Sequence, residues 1–143
     1  MLFRSTDGSG RTATCTQSVT VVDRQNPTIT APSAISVNAD AGVCTYASSQ
    51  LTAPSAADNC SVVSVLPSPA SLSLGANTVT WTVTDGSGRT ATCTQSVTVV
   101  DGQNPTITAP SAISVNADAG VCTYASSQLT APSAADNCSV VSV

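Results

Sequence analysis

Hydrophobic and polar residues alternate along most of this chain with a period of two, the signature of strands with one buried face. The clearest case is Asn77 to Thr84, NTVTWTVT, which sets Val79, Trp81 and Val83 on one side and Thr78, Thr80, Thr82 and Thr84 on the other. Asp85-Gly-Ser-Gly88 follows with residues that tolerate positive φ, predicting a hairpin into a second strand over Arg89 to Val100. In that strand Ala91, Cys93, Val97 and Val99 share a face opposite Thr90, Thr92, Thr94, Ser96 and Thr98. Upstream, Pro27 to Thr30 and Ala34 to Asn38 read as short strands interrupted by Pro32, the pattern of an edge strand that switches sheets. Val43 to Ala47, Ser61 to Leu66 and a short segment at Leu72 and Leu74 complete about seven strands, and helix signals are nearly absent. Such a series predicts a small immunoglobulin-like sandwich with a thin core of Val, Ile and Leu around one Trp.

The pattern then repeats. Asp7 to Val65 reappears as Asp85 to Val143, a period of 78 residues, with Arg24 replaced by Gly102 as the only difference. That period is too long for a solenoid turn and suits a whole sandwich. The predicted fold class is therefore all-β: tandem immunoglobulin-like β-sandwiches, one complete and two partial. Residues 24–101 make the complete repeat, 1–23 carry the last two strands of a preceding one, and 102–143 carry the first half of a next one. The two flanking segments are complementary, lacking between them only the equivalent of Leu66 to Thr78.

Composition narrows the function. The charged residues are eight Asp and four Arg, with no His, Lys or Glu, so most general acid/base chemistry is out of reach and an enzyme is not expected. A net charge of −4 argues against nucleic acid or an anionic membrane surface as partner, and no apolar run is long enough to insert in a membrane. Met1-Leu2-Phe3-Arg4 lacks the basic start and apolar stretch of a signal peptide.

Six cysteines in 143 residues point to an oxidising compartment, extracellular or at the cell surface. Zinc is disfavoured, because there is neither a C-x-x-C pair nor a His to complete four ligands. The spacing favours Cys44 with Cys60, and Cys122 with Cys138, each closing a loop of roughly 16 residues at about 3 kcal/mol on the chain-entropy model. Pairing of Cys44 or Cys60 with Cys93 stays open. Cys15 and Cys93 are left as buried free thiols or, alternatively, as a bond between subunits.

The runs NPTITAPSAISVNADAGVC, APSAADNCS and LGANTVTWTVTDGSGRTATCTQSVTVVD resemble the HYR (hyalin repeat) module, an immunoglobulin-like domain that occurs in tandem in extracellular and bacterial surface proteins. The resemblance spans the 78-residue unit and rests on D-N-C, G-x-x-x-V-T-x-x-x-x-D-x-S-G and T-C-x-x-x-V-T-V-x-D in order. Many relatives carry a Cys just before the Pro at the start of the unit, where this chain has Ala31 before Pro32 and Ala109 before Pro110, a departure that leaves Cys93 without the partner the resemblance implies. It implies adhesion or extracellular scaffolding and no catalytic residues.

Two further chemistries are candidates. Asp23 with Asn26, and Asp101 with Asn104, sit in linkers loosely like those that bind Ca2+ between tandem extracellular domains, and Asp85 or Asp136 from nearby loops would add oxygens. Otherwise these residues cap turns and no cofactor is expected. Asn59-Cys60-Ser61 and Asn137-Cys138-Ser139 satisfy the N-glycosylation rule with an unfavourable Cys in the middle, and 43 Ser and Thr residues offer O-linked sites.

Strand donation is the functional expectation. Met1 to Val22 aligns Phe3 with Trp81 and repeats Arg89 to Val100, so Thr12, Thr14, Thr16, Val19 and Val21 would complete the half-domain of another copy. Such a contact is head-to-tail and propagates, predicting a homopolymeric extracellular fibre, glycosylated or bare. The alternative is a window on a long tandem-repeat adhesin or a glycan- or protein-binding stalk.

Overall fold

The computed structural model describes residues 1–142; Val143, the last residue of the third segment, lies outside the described residues. The chain is all-β. In order it forms β1 Leu2–Thr6, β2 Thr12–Thr16, β3 Thr28–Ile29, β4 Ile35–Asn38, β5 Thr45–Ala47, β6 Ala56–Ala57, β7 Val62–Ser68, β8 Ser71–Ser73, β9 Gly75–Asp85, β10 Thr90–Val100, β11 Thr106–Thr108 and β12 Ser133–Ala135.

Strands β3 to β10 build one sandwich. A four-stranded sheet runs β4-β10-β9-β7, with β4 parallel to β10 and the other pairs antiparallel. The pairs β3-β6 and β5-β8 pack across it. Pro32 does separate two strands belonging to different sheets, because a residue without an N–H ends one ladder before the chain crosses to the other. The core is the alternate face of β9 and β10, where Val79, Trp81, Val97 and Val99 meet Leu51 and Leu72 from the facing layer. Each of these side chains contributes roughly 1.5–3 kcal/mol by leaving water.

Gln95 adds a polar residue to the predicted inner face of β10. Its place between Cys93 and Val97 puts it inside, and it is buried. Trp81 Nε1 donates to Gln95 Oε1 at 3.0 Å, and Gln95 Nε2 donates to the Ser33 carbonyl at 3.0 Å, so the buried amide and the indole satisfy one another.

The flanking segments keep only the ladders whose two strands they contain. β1 and β2 pair with Leu2 opposite Thr16 and Phe3 opposite Cys15, the register of Thr80 with Thr94 and Trp81 with Cys93 displaced by one period. Their hairpin is also the same. Asp7 Oδ1 accepts from Ser9 N and Arg11 N as Asp85 Oδ1 accepts from Ser87 N and Arg89 N, and Gly10 (φ 80°) and Gly88 (φ 81°) take the left-handed position. β11 and β12 likewise repeat the β3-β6 register.

Where a partner strand has no counterpart, no strand forms among the described residues. β2 stops at Thr16, although its repeat β10 runs to Val100, because β1 has no residues to face Val19 and Val21. The segment equivalent to β4, residues 113–116, needs a β10, and that equivalent to β5, residues 123–125, needs a β8.

Candidate functional site at the repeat junction

The ends of the central sandwich are its chemically distinctive regions. At one end lie the β9-β10 hairpin and the turn before β7, where Gly86 N donates to the Ser61 carbonyl at 3.1 Å. Asp58 shapes that turn by accepting from Cys60 N at 2.8 Å and Ser61 N at 3.3 Å. The Cys60 sulfur thereby joins the carboxylates of Asp23 and Asp58 in a cluster spanning no more than 4.8 Å. Partial desolvation first, then the negative charges of Asp23 and Asp58 and a hydrogen bond with Asp23, push the Cys60 thiol above its usual range.

The opposite end carries the turn between β4 and β5, closed by Asp40 N donating to the Thr45 carbonyl at 2.7 Å. Asp40 braces it from inside, accepting from Ala47 N at 2.9 Å and Gln50 Nε2 at 2.7 Å. Cys44 projects here beside the end of β10, where Ala39 N donates to the Val100 carbonyl.

Cys44 and Cys60 therefore sit at opposite poles, separated by about the length of the 11-residue β10, roughly 33 Å. The expected Cys44–Cys60 pair is overturned for this reason, since a disulfide spans only about 4.4–6.8 Å between Cα atoms, and the expected Cys122–Cys138 pair because Cys138 is bonded elsewhere. Cys44 bonds instead to Cys138, the repeat of Cys60 in the next segment, with Cα atoms 4.7 Å apart. Cys15, Cys60, Cys93 and Cys122 are free thiols.

Polar contacts flank the bond. Gly42 N donates to Gln103 Oε1 at 3.1 Å, and Asn137 Nδ2 donates to the Val43 carbonyl at 2.9 Å. Between them lies a cleft of about 320 Å3 lined by Gly42, Gln103, Asn104, Thr106, Ala135, Asp136 and Asn137. Gly102, the single residue that distinguishes the repeats, passes so close to Asn38 that a Cβ there would lie 2.8 Å from Asn38 Cγ. Asp136 accepts from Cys138 N at 2.9 Å and Ser139 N at 3.2 Å, and the Cys138 N–H is the main cause holding its carboxyl below the ordinary range.

Of the proposed cation ligands, Asp23 joins Asp58 and Cys60, and Asp101 joins Asp136 and Cys138. Asn26 accepts from Arg89 Nη1 at 3.3 Å, and Asn104 lines the cleft. Two carboxylates and a sulfur suit calcium poorly, since it takes six to eight oxygens. Asn59 is exposed, but Asn137 is committed to the junction through the very nitrogen a glycan would occupy. Phe3 lies in β1 and Thr12, Thr14 and Thr16 in β2, whereas Val19 and Val21 are exposed beyond it. Asp58, Gln103 and the contact made by Asn137 escaped the sequence reading. The Asp-Asn-Cys-Ser turn, present twice, signalled Asp58 and Asn137, and nothing signalled Gln103.

Compared with known families, residues 22–99 match the profile described as HYR domain. No curated protein matches the chain.

Proposed function

This chain belongs to the HYR domain family, and from that premise we propose that it is a structural subunit of an extracellular fibre, its chains joined head to tail by strand complementation. The family consists of non-catalytic, typically extracellular repeats of adhesion type. No helix among the described residues is long and apolar enough to cross a membrane, and a disulfide accords with secretion.

The carrying observation is a contrast between identical residues. Val97, Val99 and Leu51 in the central core are 0%, 1% and 8% exposed, whereas their repeats Val19, Val21 and Leu129 are 67%, 90% and 51% exposed. The first two belong to the segment before the complete repeat, and the third to the segment after it. Open apolar faces and unpaired strand edges of this kind take up a matching strand. Residues 1–22 of one copy laid on residues 102–142 of another would restore the central arrangement except for β8 and the residues around it. Transposed by one period, the β4-β10 pairing sets Val19 beside Ile113 and Val21 beside Val115, and the β7-β9 pairing sets Ser142 beside Thr6. Backbone ladders supply affinity and the alternating side chains supply register. The contact joins different surfaces, so it propagates.

Electron microscopy of the purified chain, beside a variant lacking Met1 to Asp23, tests the reading. Filaments from the intact chain that disappear in the variant support it. Single particles from both favour the alternative, repeats of one long covalent adhesin.

A further inference from the structure

The Cys44–Cys138 bond is a relation between one repeat and the next, and its two half-sites recur unbonded elsewhere in the chain. One period beyond Cys44 stands Cys122, and one period before Cys138 stands Cys60. Both are exposed free thiols. We propose that Cys122 of one chain forms a disulfide with Cys60 of the next, so that the assembled fibre is covalently continuous. This rests on the head-to-tail assembly above.

Both half-sites are already in the bonding shape. The turn that presents Cys122 is closed by Asp118 N donating to the Thr123 carbonyl at 2.7 Å and braced by Asp118 accepting from Ala125 N at 2.9 Å, matching the Asp40 turn that presents Cys44. At the other half-site, Cys60 N and Ser61 N donate to Asp58 as Cys138 N and Ser139 N donate to Asp136. Asn59 Nδ2 lies 3.5 Å from Cys60 Sγ, and Asn137 Nδ2 lies 3.4 Å from Cys138 Sγ. The triad Asp23, Asp58 and Cys60 repeats Asp101, Asp136 and Cys138 within the same 4.8 Å. Period symmetry also transposes the flanking contacts, setting Gly120 N on Gln25 and the Asn59 amide on the Val121 carbonyl.

One residue departs from the symmetry. Arg24 stands where Gly102 makes its close approach to Asn38, so at the junction between chains the Arg24 Cβ meets Asn116. Asn116 is exposed and its amide end can turn aside. The interchain bond is therefore the slower of the two to close, and Arg24→Gly should accelerate it.

The step needs an oxidant, for which a small-molecule disulfide such as oxidised glutathione serves. The Cys122 thiolate attacks it to give a mixed disulfide and one glutathione thiol, and the Cys60 thiolate then displaces the second. Two protein thiols lose two protons and two electrons, and one glutathione disulfide becomes two thiols.

The test is non-reducing denaturing electrophoresis of filaments oxidised with glutathione disulfide, with microscopy of the same samples. A ladder of covalent multimers is expected, collapsing to monomer on reduction, in Cys60→Ser and in Cys122→Ser, while Cys15→Ser keeps it. Mixing 14N- and 15N-labelled chains should yield a Cys60–Cys122 peptide carrying one label from each. Filaments without a ladder, or a ladder linked through other cysteines, overturn the crosslink and leave assembly standing. Absence of filaments overturns both.

Discussion

Gln95 stands among apolar neighbours on the inner face of β10, and its cost of burial is offset because both ends of its amide are bonded. Replacing it by Ala would orphan the Trp81 indole N–H and the Ser33 carbonyl. A loss of about 1–3 kcal/mol is expected for the central sandwich, measured by denaturant unfolding. Asp136 works by charge instead. Its folded pKa is depressed, chiefly by the Cys138 N–H, so its stabilising effect is present above the unfolded value of about 3.9 and is lost as pH falls through the folded value. Wild type should be more stable than Asp136→Asn at neutral pH. Thermal midpoints of the two should begin to approach one another only below the unfolded value and converge once pH has fallen through the lower folded one; a gap undiminished in strong acid would refute the linkage.

Among the elements, the β1-β2 hairpin is notable for forming without a core. It keeps the register of β9-β10 because both turns are set locally by an Asp and a Gly. Beyond Thr16 the strand needs neighbours, so the proposed assembly would rest on Val19 and Val21. Val19→Asp with Val21→Asp should abolish filaments, since each would bury a charge in the composite core, while the circular dichroism of the central sandwich stays unchanged. The proposed composite unit would also lack any counterpart of β8, whose Leu72 is fully buried in the central one. Its core would be smaller by that side chain. Leu72→Ala in the central sandwich should cost about 2–5 kcal/mol and bring its unfolding midpoint toward that of the composite, as read by calorimetry of filaments.

For the whole molecule, Cys15 would report the proposed assembly. Its repeat Cys93 packs partly buried against the core, whereas Cys15 is exposed. A thiol reagent should label Cys15 quickly in dispersed chains and slowly in filaments. Equal rates in both would count against strand donation. Much of this was readable in the chain beforehand: period-two runs located β9, β10 and the hairpin between them because those signals are local, and the 78-residue period divided the chain because near-identity is visible without a structure. The face of β10 was legible for Ala91, Cys93, Val97 and Val99, while Gln95 went unassigned; strand parity sets it inward, where Trp81 is its partner. The cysteines were the least legible. Separation along the chain favoured Cys44 with Cys60, but an antiparallel sandwich carries sequence neighbours to opposite poles, and stacking of repeats brings together residues 94 apart. The sequence by itself determined the repeat, the family and the strands of the complete unit, all of which depend on local pattern, whereas the same residues in the flanking segments form strands only where a partner is present. Only the tertiary structure decided which sulfurs meet, which valines are left uncovered and where the repeats touch, because these depend on distances across the sandwich that no spacing along the chain encodes.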